Sequence, residues 1–463
     1  MNRIFVSAAH KSSGKTTISI GLCAALRMRG VAVQTFKKGP DYIDPLWLAL
    51  ASERPCYNLD PYLSGTEEIR AEFARRVDGA SLGLVEGNKG LYDGLDLEGS
   101  NSNAALAALL GTPVVLVIDA RGMTRGIAPL ILGYQAFDRN VRIAGVILNQ
   151  LGGSRHEAKL RAVIAHYTGV PVLGAVQRDD RLSIAERHLG LVPSNETSAS
   201  RAWVRQTAER VAAQVDLERL LAVAREAPPL AGSTAGTGDP LAGPGGAPVR
   251  LGIARDAAFG FYYPGDLEAL GAAGAELVAF DTLRDKRLPR VDGLFLGGGF
   301  PETQMDALAA NAALRSDVRE AVEGGMPTYA ECGGLMYLAR GIEWNGRRAE
   351  MVGALPADIV MHDRPVGRGY VHLRETGRSP WPRTLAPDAP LIRAHEFHYS
   401  SVENLSSGLE FAYEVERGYG IDGRHDGIVH KNLLASYAHL RDVAGNRWAR
   451  RFVDFVRNRR RAA

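Results

Sequence analysis

Arg3-Ile4-Phe5-Val6-Ser7-Ala8-Ala9-His10-Lys11-Ser12-Ser13-Gly14-Lys15-Thr16-Thr17 decides the fold class. Arg3 to Ala8 reads as a buried strand and Lys15 to Arg29 as a helix, with a short glycine-containing turn between them. A turn in that setting is a phosphate loop. Its backbone N–H groups face an anion, and the helix dipole adds to their field. Gly14, Lys15, Thr16 and Thr17 are therefore expected to hold ATP. Lys15 would reach the β- and γ-phosphates and the Thr16 hydroxyl would ligate Mg²⁺. Ala9 occupies the place of the usual first glycine, so the first turn must be made without positive φ there.

Beyond the loop, short apolar runs alternate with helical patterns. Val31 to Phe36, Leu82 to Glu86, Val114 to Asp119, Ile143 to Asn149 and Val172 to Val176 read as strands. Ser102 to Leu110 and Arg155 to His166 read as helices between them. Such alternation implies a parallel sheet with helices on both faces. Residues 226–248 are rich in Ala, Gly, Pro, Ser and Thr and read as a flexible linker. Arg250 to Ala254, Glu276 to Phe280, Gly293 to Leu296 and Thr328 to Ala330 then begin a second strand–helix series. The expected organisation is two α/β domains: an ATP-using P-loop domain over 1–225, the linker over 226–248, and a second domain over 249–463.

Two carboxylate-bearing segments follow strands of the first domain: Lys37-Lys38-Gly39-Pro40-Asp41-Tyr42-Ile43-Asp44-Pro45 and Glu86-Gly87-Asn88-Lys89-Gly90-Leu91-Tyr92-Asp93-Gly94. In a parallel sheet the C-terminal strand ends share one edge, where ligands bind. Asp41 and Glu86 are expected to ligate magnesium beside Thr16, since that ion asks for oxygen ligands. Tyr42, Asp44 and Asp93 are expected at the substrate end of the same edge. The competing role for such carboxylates is capping a helix or turn.

In the second domain, Gly325-Met326-Pro327-Thr328-Tyr329-Ala330-Glu331-Cys332-Gly333-Gly334-Leu335 reads strand, sharp turn, helix, an elbow that exposes a nucleophile. Cys332 is the expected nucleophile. Cys23 and Cys56 lack this setting and read as structural. Acyl transfer also needs an oxyanion hole and a base. The backbone N–H groups of Gly298 and Gly299, after another strand, together with Gly333 fit the first need. His395, His398, His430 and His439 are candidates for the second, and spacing does not choose among them.

The chain has 463 residues, 46% hydrophobic and 23% charged, with 55 Lys+Arg against 52 Asp+Glu, a net charge of +3. So weak a balance offers nothing to nucleic acid or to an acidic membrane. Arg457 to Arg461 is locally basic and reads as a solvated helix end. Three cysteines, none in a Cys-x-x-Cys pair, suit a reducing cytoplasm and give no support for a zinc site. No apolar run of about 18 residues is present, so no membrane span is expected.

Taken in order, these pieces make the chain resemble the cobyrinic acid a,c-diamide synthase family over nearly its whole length. Ser13 to Thr17, Phe36 to Pro45, Asn58-Leu59-Asp60, Gly90 to Gly94, Asp119 to Met123, Ala144 to Asn149, Glu186 to Leu191, the triple glycine, the Cys332 elbow and His395 to Tyr399 carry the resemblance. It implies an N-terminal domain related to dethiobiotin synthetase, with Asn149 at the nucleotide, and a C-terminal class I-type glutamine amidotransferase domain with His439 as base. Class I enzymes carry a glutamate two residues beyond that histidine. Here the position is Arg441, so a full Cys-His-Glu triad is not expected, and the cobyrinate-type group shares that lack. The implied reaction is phosphorylation of a tetrapyrrole carboxylate by ATP-Mg²⁺, ammonia release from glutamine at Cys332, and capture of that ammonia by the acyl phosphate. Corrin-amidating members typically have apolar residues between the glycines of the Glu-Gly-x-x-Gly segment. This chain has Asn88-Lys89, expected to meet substrate carboxylates, and relatives that amidate sirohaem share the scaffold. A biotin-type synthetase and a non-enzymatic P-loop regulatory protein are the competing readings. The assembly state is left open, with a homodimer admitted.

Overall fold

A computed structural model describes residues 1–182, 186–187, 190–196, 199–230, 246–383 and 390–462. His188 and Leu189 of one matching segment, and 231–245 of the expected linker, lie outside the described residues. The chain divides into two compact units, Met1–Thr237 and Gly238–Ala463.

In the first unit, β1 (Arg3–Ala8), β2 (Val33–Lys38), β3 (Tyr57–Leu59), β4 (Leu82–Glu86), β5 (Val114–Asp119), β6 (Ile143–Leu151) and β7 (Val172–Gln177) form a parallel sheet in the order β3-β2-β4-β1-β5-β6-β7. Alternate side chains leave a strand on opposite faces. Ile4 and Val6 accordingly join one buried cluster while Phe5 joins the other, and Val115 and Val117 part from Val114 and Leu116 in the same way. The first cluster is roofed by α1 (Lys15–Met28) and the helices Ile43–Ser52, Ser200–Gln214 and Leu217–Arg225. The second lies under Thr66–Val77, Asn103–Leu109, Ile127–Phe137 and Ser154–Tyr167. Each fully buried Leu, Ile, Val or Phe contributes roughly 1.5–3 kcal/mol, so both faces are strongly anchored. β2 starts two residues later than expected and runs on through Lys37 and Lys38, which are buried lysines and therefore invisible to a search for apolar runs.

The second unit is built on a nine-stranded sheet. Five neighbours are parallel: Ala275–Phe280, Val249–Ala254, Gly293–Leu296, Thr328–Glu331 and Leu433–Ser436. The other four, His425–His430, Glu410–Arg417, Gly367–Glu375 and Ile392–His398, extend it antiparallel. That extension corrects the expectation of a plain strand–helix series. Its strands alternate buried with exposed, charged residues and hold no continuous apolar run. The C-terminal helix Trp448–Ala462 buries Trp448, Phe452 and Val456. Its basic end is not simply solvated. Arg457 is buried and donates to the backbone oxygens of Ala247 and Ala273. Among the described residues no helix is long and apolar enough to cross a membrane.

Candidate active site

The phosphate loop turns on Ser12 (φ 64) and Gly14 (φ 82), and Ala9 is spared positive φ. A side chain at Gly14 would begin 2.2 Å from Asn149 Nδ2, which donates to Ser13 O at 2.9 Å. Asn149 thus braces the loop from behind. Lys15, Thr16 and Thr17 open α1, half-buried. The Thr16 hydroxyl donates to Glu86 Oε1 at 2.7 Å and to Asp44 Oδ2 at 3.2 Å.

Lys37, from β2, stands in the middle of these groups. Its ammonium lies 2.5 Å from Asp44 Oδ2, 2.9 Å from Glu86 Oε1 and 3.8 Å from Asp41 Oδ2, and donates to Gly87 O at 3.1 Å. Burial opposes its charge, yet the surrounding carboxylates prevail and hold its pKa above the ordinary lysine value. The charges of Lys37 and Lys15, opposing burial, keep Asp44 below the usual carboxylate range. Burial and then the Asp44 charge push Asp41 up to about 7. Asp41 Oδ1 accepts from the backbone of Ile43 and Asp44, so the capping role holds for half of this carboxylate. Thr16 thus hydrogen-bonds Asp44 and Glu86, while Asp41 serves the backbone of Ile43 and Asp44 and lies 3.8 Å from Lys37.

Does this set fit magnesium? Among the described residues no three His, Cys, Asp or Glu side chains form a ready cage. Magnesium needs only one or two carboxylates when phosphates and waters supply the rest. Glu86 Oε2 is buried with no hydrogen-bond partner, an oxygen left over for a cation. The donor set fits.

Beside it, Asn88 Oδ1 accepts from Lys38 Nζ at 3.3 Å, and Lys89 is exposed with φ 40. Burial, offset by Asp60, and the charges of Lys89 and Lys37 bring Lys38 down to about 8. Asn103 holds the 87–90 turn by bonds to Asn88 O and Gly90 O. Asp93 closes the same turn, accepting from Gly90 N at 2.8 Å, and Tyr42 sits half-buried where the helix Ile43–Ser52 begins. Lys37, Lys38 and Asn103 escaped the sequence reading. A pair of lysines running straight off a predicted buried strand was the available signal, because unpaired lysine is almost never buried.

In the second unit three adjacent parallel strands bring the remaining groups to one edge. Gly293–Leu296 leads to Gly298 and Gly299, Thr328–Glu331 to Cys332, and Leu433–Ser436 to His439. Cys332 has φ 48 and ψ −102, a strained conformation of the kind stored at functional elbows, and its N–H donates to Ser436 O at 2.7 Å. Added side chains at Gly298, Gly333 and Gly334 would lie 2.8 Å from His439 Cε1, 2.9 Å from Gly299 N and 2.1 Å from Leu296 O. Only glycine lets these backbones approach so closely.

His439 Nδ1 lies 3.5 Å from Glu331 Oε2, and the Cys332 thiol acts on the same ring. Burial would lower its pKa, but those two partners and their charges raise it to about 10. The other histidines are placed differently. His395 stacks on His439 at 4.8 Å, and burial plus the charges of His439 and Arg441 hold it well below the usual range. His398 stacks on Tyr437 and pairs with Ser400 O, and His430 pairs with Glu323 beside Leu433, at the far end of that strand from Ser436. The structure thus brings His439, of the four, to Cys332. It also puts a carboxylate, Glu331, against that histidine, where none was expected.

Two family models match the chain: a CobQ/CobB/MinD/ParA nucleotide binding domain over 4–192 and a CobB/CobQ-like glutamine amidotransferase domain over 250–445. A cobyrinate a,c-diamide synthase of Magnetococcus marinus is 48% identical over 99% of this chain and 97% of its own length. The chain belongs to the cobyrinate a,c-diamide synthase family. Proteins with that name from Methanosarcina acetivorans (41% identical, 98% of this chain and 95% of theirs) and Syntrophotalea carbinolica (40%, 98% and 98%) are similar over the same span. As a member of the cobyrinate a,c-diamide synthase family, the chain is a carbon–nitrogen ligase with glutamine as amido donor.

Proposed function

We propose that the chain converts the a and c side-chain carboxylates of a cobyrinic acid-type tetrapyrrole to amides, at the expense of ATP and glutamine. The observation that carries the reading is the pairing, in one chain, of a phosphate loop set among carboxylates with a cysteine–histidine elbow. The names of the relatives supply the substrate.

The Cys332 sulfur attacks the glutamine carboxamide carbon. The N–H groups of Gly298, Gly299 and Gly333 receive the oxyanion. His439 passes a proton to the departing nitrogen, ammonia leaves, and His439 then draws a proton from water as it cleaves the thioester to glutamate. At the other site Gly14, Lys15, Thr16 and Thr17 hold ATP, and its γ-phosphoryl group passes to the substrate carboxylate. The acyl phosphate makes phosphate, rather than oxide, the group displaced when ammonia attacks. Magnesium, when bound, neutralises charge on the phosphates, and Thr16, Glu86 and Asp44 are the residues that would hold it. Asn88 and Lys89 form a hydrogen-bonding, electropositive rim suited to substrate carboxylates, with the buried Lys38 behind Asn88.

The test is a panel of cobyrinic acid, hydrogenobyrinic acid and sirohaem with ATP, Mg²⁺ and glutamine, followed by mass spectrometry. Loss of about one mass unit twice over on a corrinoid supports the reading, by the replacement of OH with NH₂. Amidation of sirohaem alone moves the substrate and keeps the chemistry. No conversion of any tetrapyrrole overturns the substrate class.

A further inference from the structure

We infer that Glu331 is the positioning acid of the glutaminase site, gripping His439 from the residue beside the nucleophile. The inference rests on the proposed Cys332–His439 chemistry and adds its third member.

A histidine that shuttles protons in acyl transfer needs its far ring nitrogen held by an acceptor, which selects the tautomer and supports the imidazolium. Two residues beyond His439 stands Arg441, which has no acceptor to offer. It is engaged elsewhere, 3.5 Å from Asp266 Oδ1 with its guanidinium 3.9 Å over the Tyr263 ring. Asp266 is committed too, to Trp448 Nε1 at 3.1 Å and Asp442 N at 3.2 Å.

Glu331 is arranged differently. Its Oε1 accepts from Leu440 N at 2.9 Å and from the Tyr329 hydroxyl at 2.5 Å. Those two donors lock the carboxylate and turn Oε2 toward His439 Nδ1, 3.5 Å away. That is a loose contact of the sort that tightens as the imidazole gains charge. Glu331 and His439 are 3% exposed, so water does not compete for the pair. Leu440 follows His439 directly, and one carboxylate thereby fixes both the backbone and the ring of the base.

The elbow explains how neighbours in sequence reach one ring. Consecutive side chains of a regular strand point to opposite faces. At Cys332 the φ of 48 breaks the alternation, and the Glu331 carboxylate reaches His439 at 3.5 Å while the thiol acts on the same imidazole. His395 also faces that ring, stacked on it and kept neutral, with Arg441 charging the neighbourhood of His395. Cys332 and Glu331 favour an imidazolium, and of the two Glu331 is the group that does not itself attack the substrate.

The test is glutaminase kcat, KM and pH profile for the full-length wild type, E331Q, E331D and C332S, with thermal unfolding of each. E331Q keeps the shape and an acceptor for Leu440 N but loses the charge. It is expected to lose about 100-fold or more in kcat, the range of a lost proton-transfer arrangement, with KM for glutamine within about threefold. Its alkaline limb, where the imidazolium gives up its proton, moves to lower pH. E331D, with the charge on a shorter arm, recovers kcat at least about tenfold over E331Q. An E331Q enzyme with wild-type kcat and limb overturns the inference and leaves the Cys332 reading intact. Should E331Q melt early, an E331D no better than E331Q does the same. A wild type without glutaminase activity, or a C332S that keeps it, overturns the underlying reading and this inference with it.

Discussion

Replacing Lys37 with methionine removes one cation from a nearly dry cluster of acids. Lys37 and Glu86 have side-chain exposures of 1% and 0%, and Asp44 only 15%. Solvent screening is therefore slight, and the cost is that of stripping a buried ion of its partner, about 3–5 kcal/mol. In a unit of this size that is on the order of 10 °C in melting midpoint. Thr16 Oγ1 and backbone N–H groups donate to the acids that remain, and Lys15 is left to oppose their charge, but no cation takes the place of the ammonium itself. The loss is smaller at low pH, where Asp41, already raised to about 7, takes up a proton. Differential scanning fluorimetry of wild type and K37M, with and without millimolar Mg²⁺, reads the effect. Magnesium should rescue K37M by more than it stabilises the wild type, because a divalent ion can take the charge position that Lys37 vacates. A K37M that melts with the wild type, or that magnesium does not rescue, refutes the picture of Lys37 as the internal counter-ion of the site.

Further outcomes are expected. K15A should lose ATP-dependent amide synthesis by at least about 100-fold while still releasing glutamate from glutamine, and C332S should reverse that pattern, losing glutamine use yet making amide with high ammonium; a C332S equally dead with ammonium means that there are not two sites. N149A leaves Ser13 O without its 2.9 Å donor at the back of the loop. Leaving that oxygen unpaired costs about 1–3 kcal/mol, read as a lower melting midpoint and a raised KM for ATP. His439 has a folded pKa near 10, raised by Cys332 and Glu331 against burial. Its contribution to stability is therefore complete below its unfolded value of about 6.5 and drains away as pH rises toward 10. The melting advantage of wild type over H439Q should be largest at pH 6 and shrink by pH 10, and an advantage that grows with pH contradicts the assignment.

The limits of the sequence reading are physical. β1, β4 and β5 have the bounds anticipated for them because each is a continuous apolar run buried on both faces, bracketed by punctuation. The antiparallel strands between Gly367 and His430 escaped because half of their side chains are polar and face out. Lys37 escaped because it is buried among carboxylates, which no apolar pattern in the sequence announces. Its partners sit 7 and 49 residues away in sequence, and only the sheet brings them together. The segments carrying Thr16, Glu86, Cys332 and the three glycines were legible from strand–loop context. Spacing did not choose among the histidines; the family resemblance implied His439, strand order brings it to the Cys332 edge, and the Glu331 contact needs the backbone geometry of the elbow itself.

The three strand ends that meet at Cys332 come from residues 293–296, 328–331 and 433–436, and the pairing of Glu331 with Ser436 joins segments roughly a hundred residues apart. Contacts of such separation form late, after the entropy of closing the intervening chain has been met. A chain still emerging from the ribosome therefore holds its nucleophile, its glycines and no base. Its cysteine stays without a partner base until the strand leading to His439 joins the sheet. The Cys332–His439 arrangement is therefore complete only once the strand Leu433–Ser436 has joined the sheet.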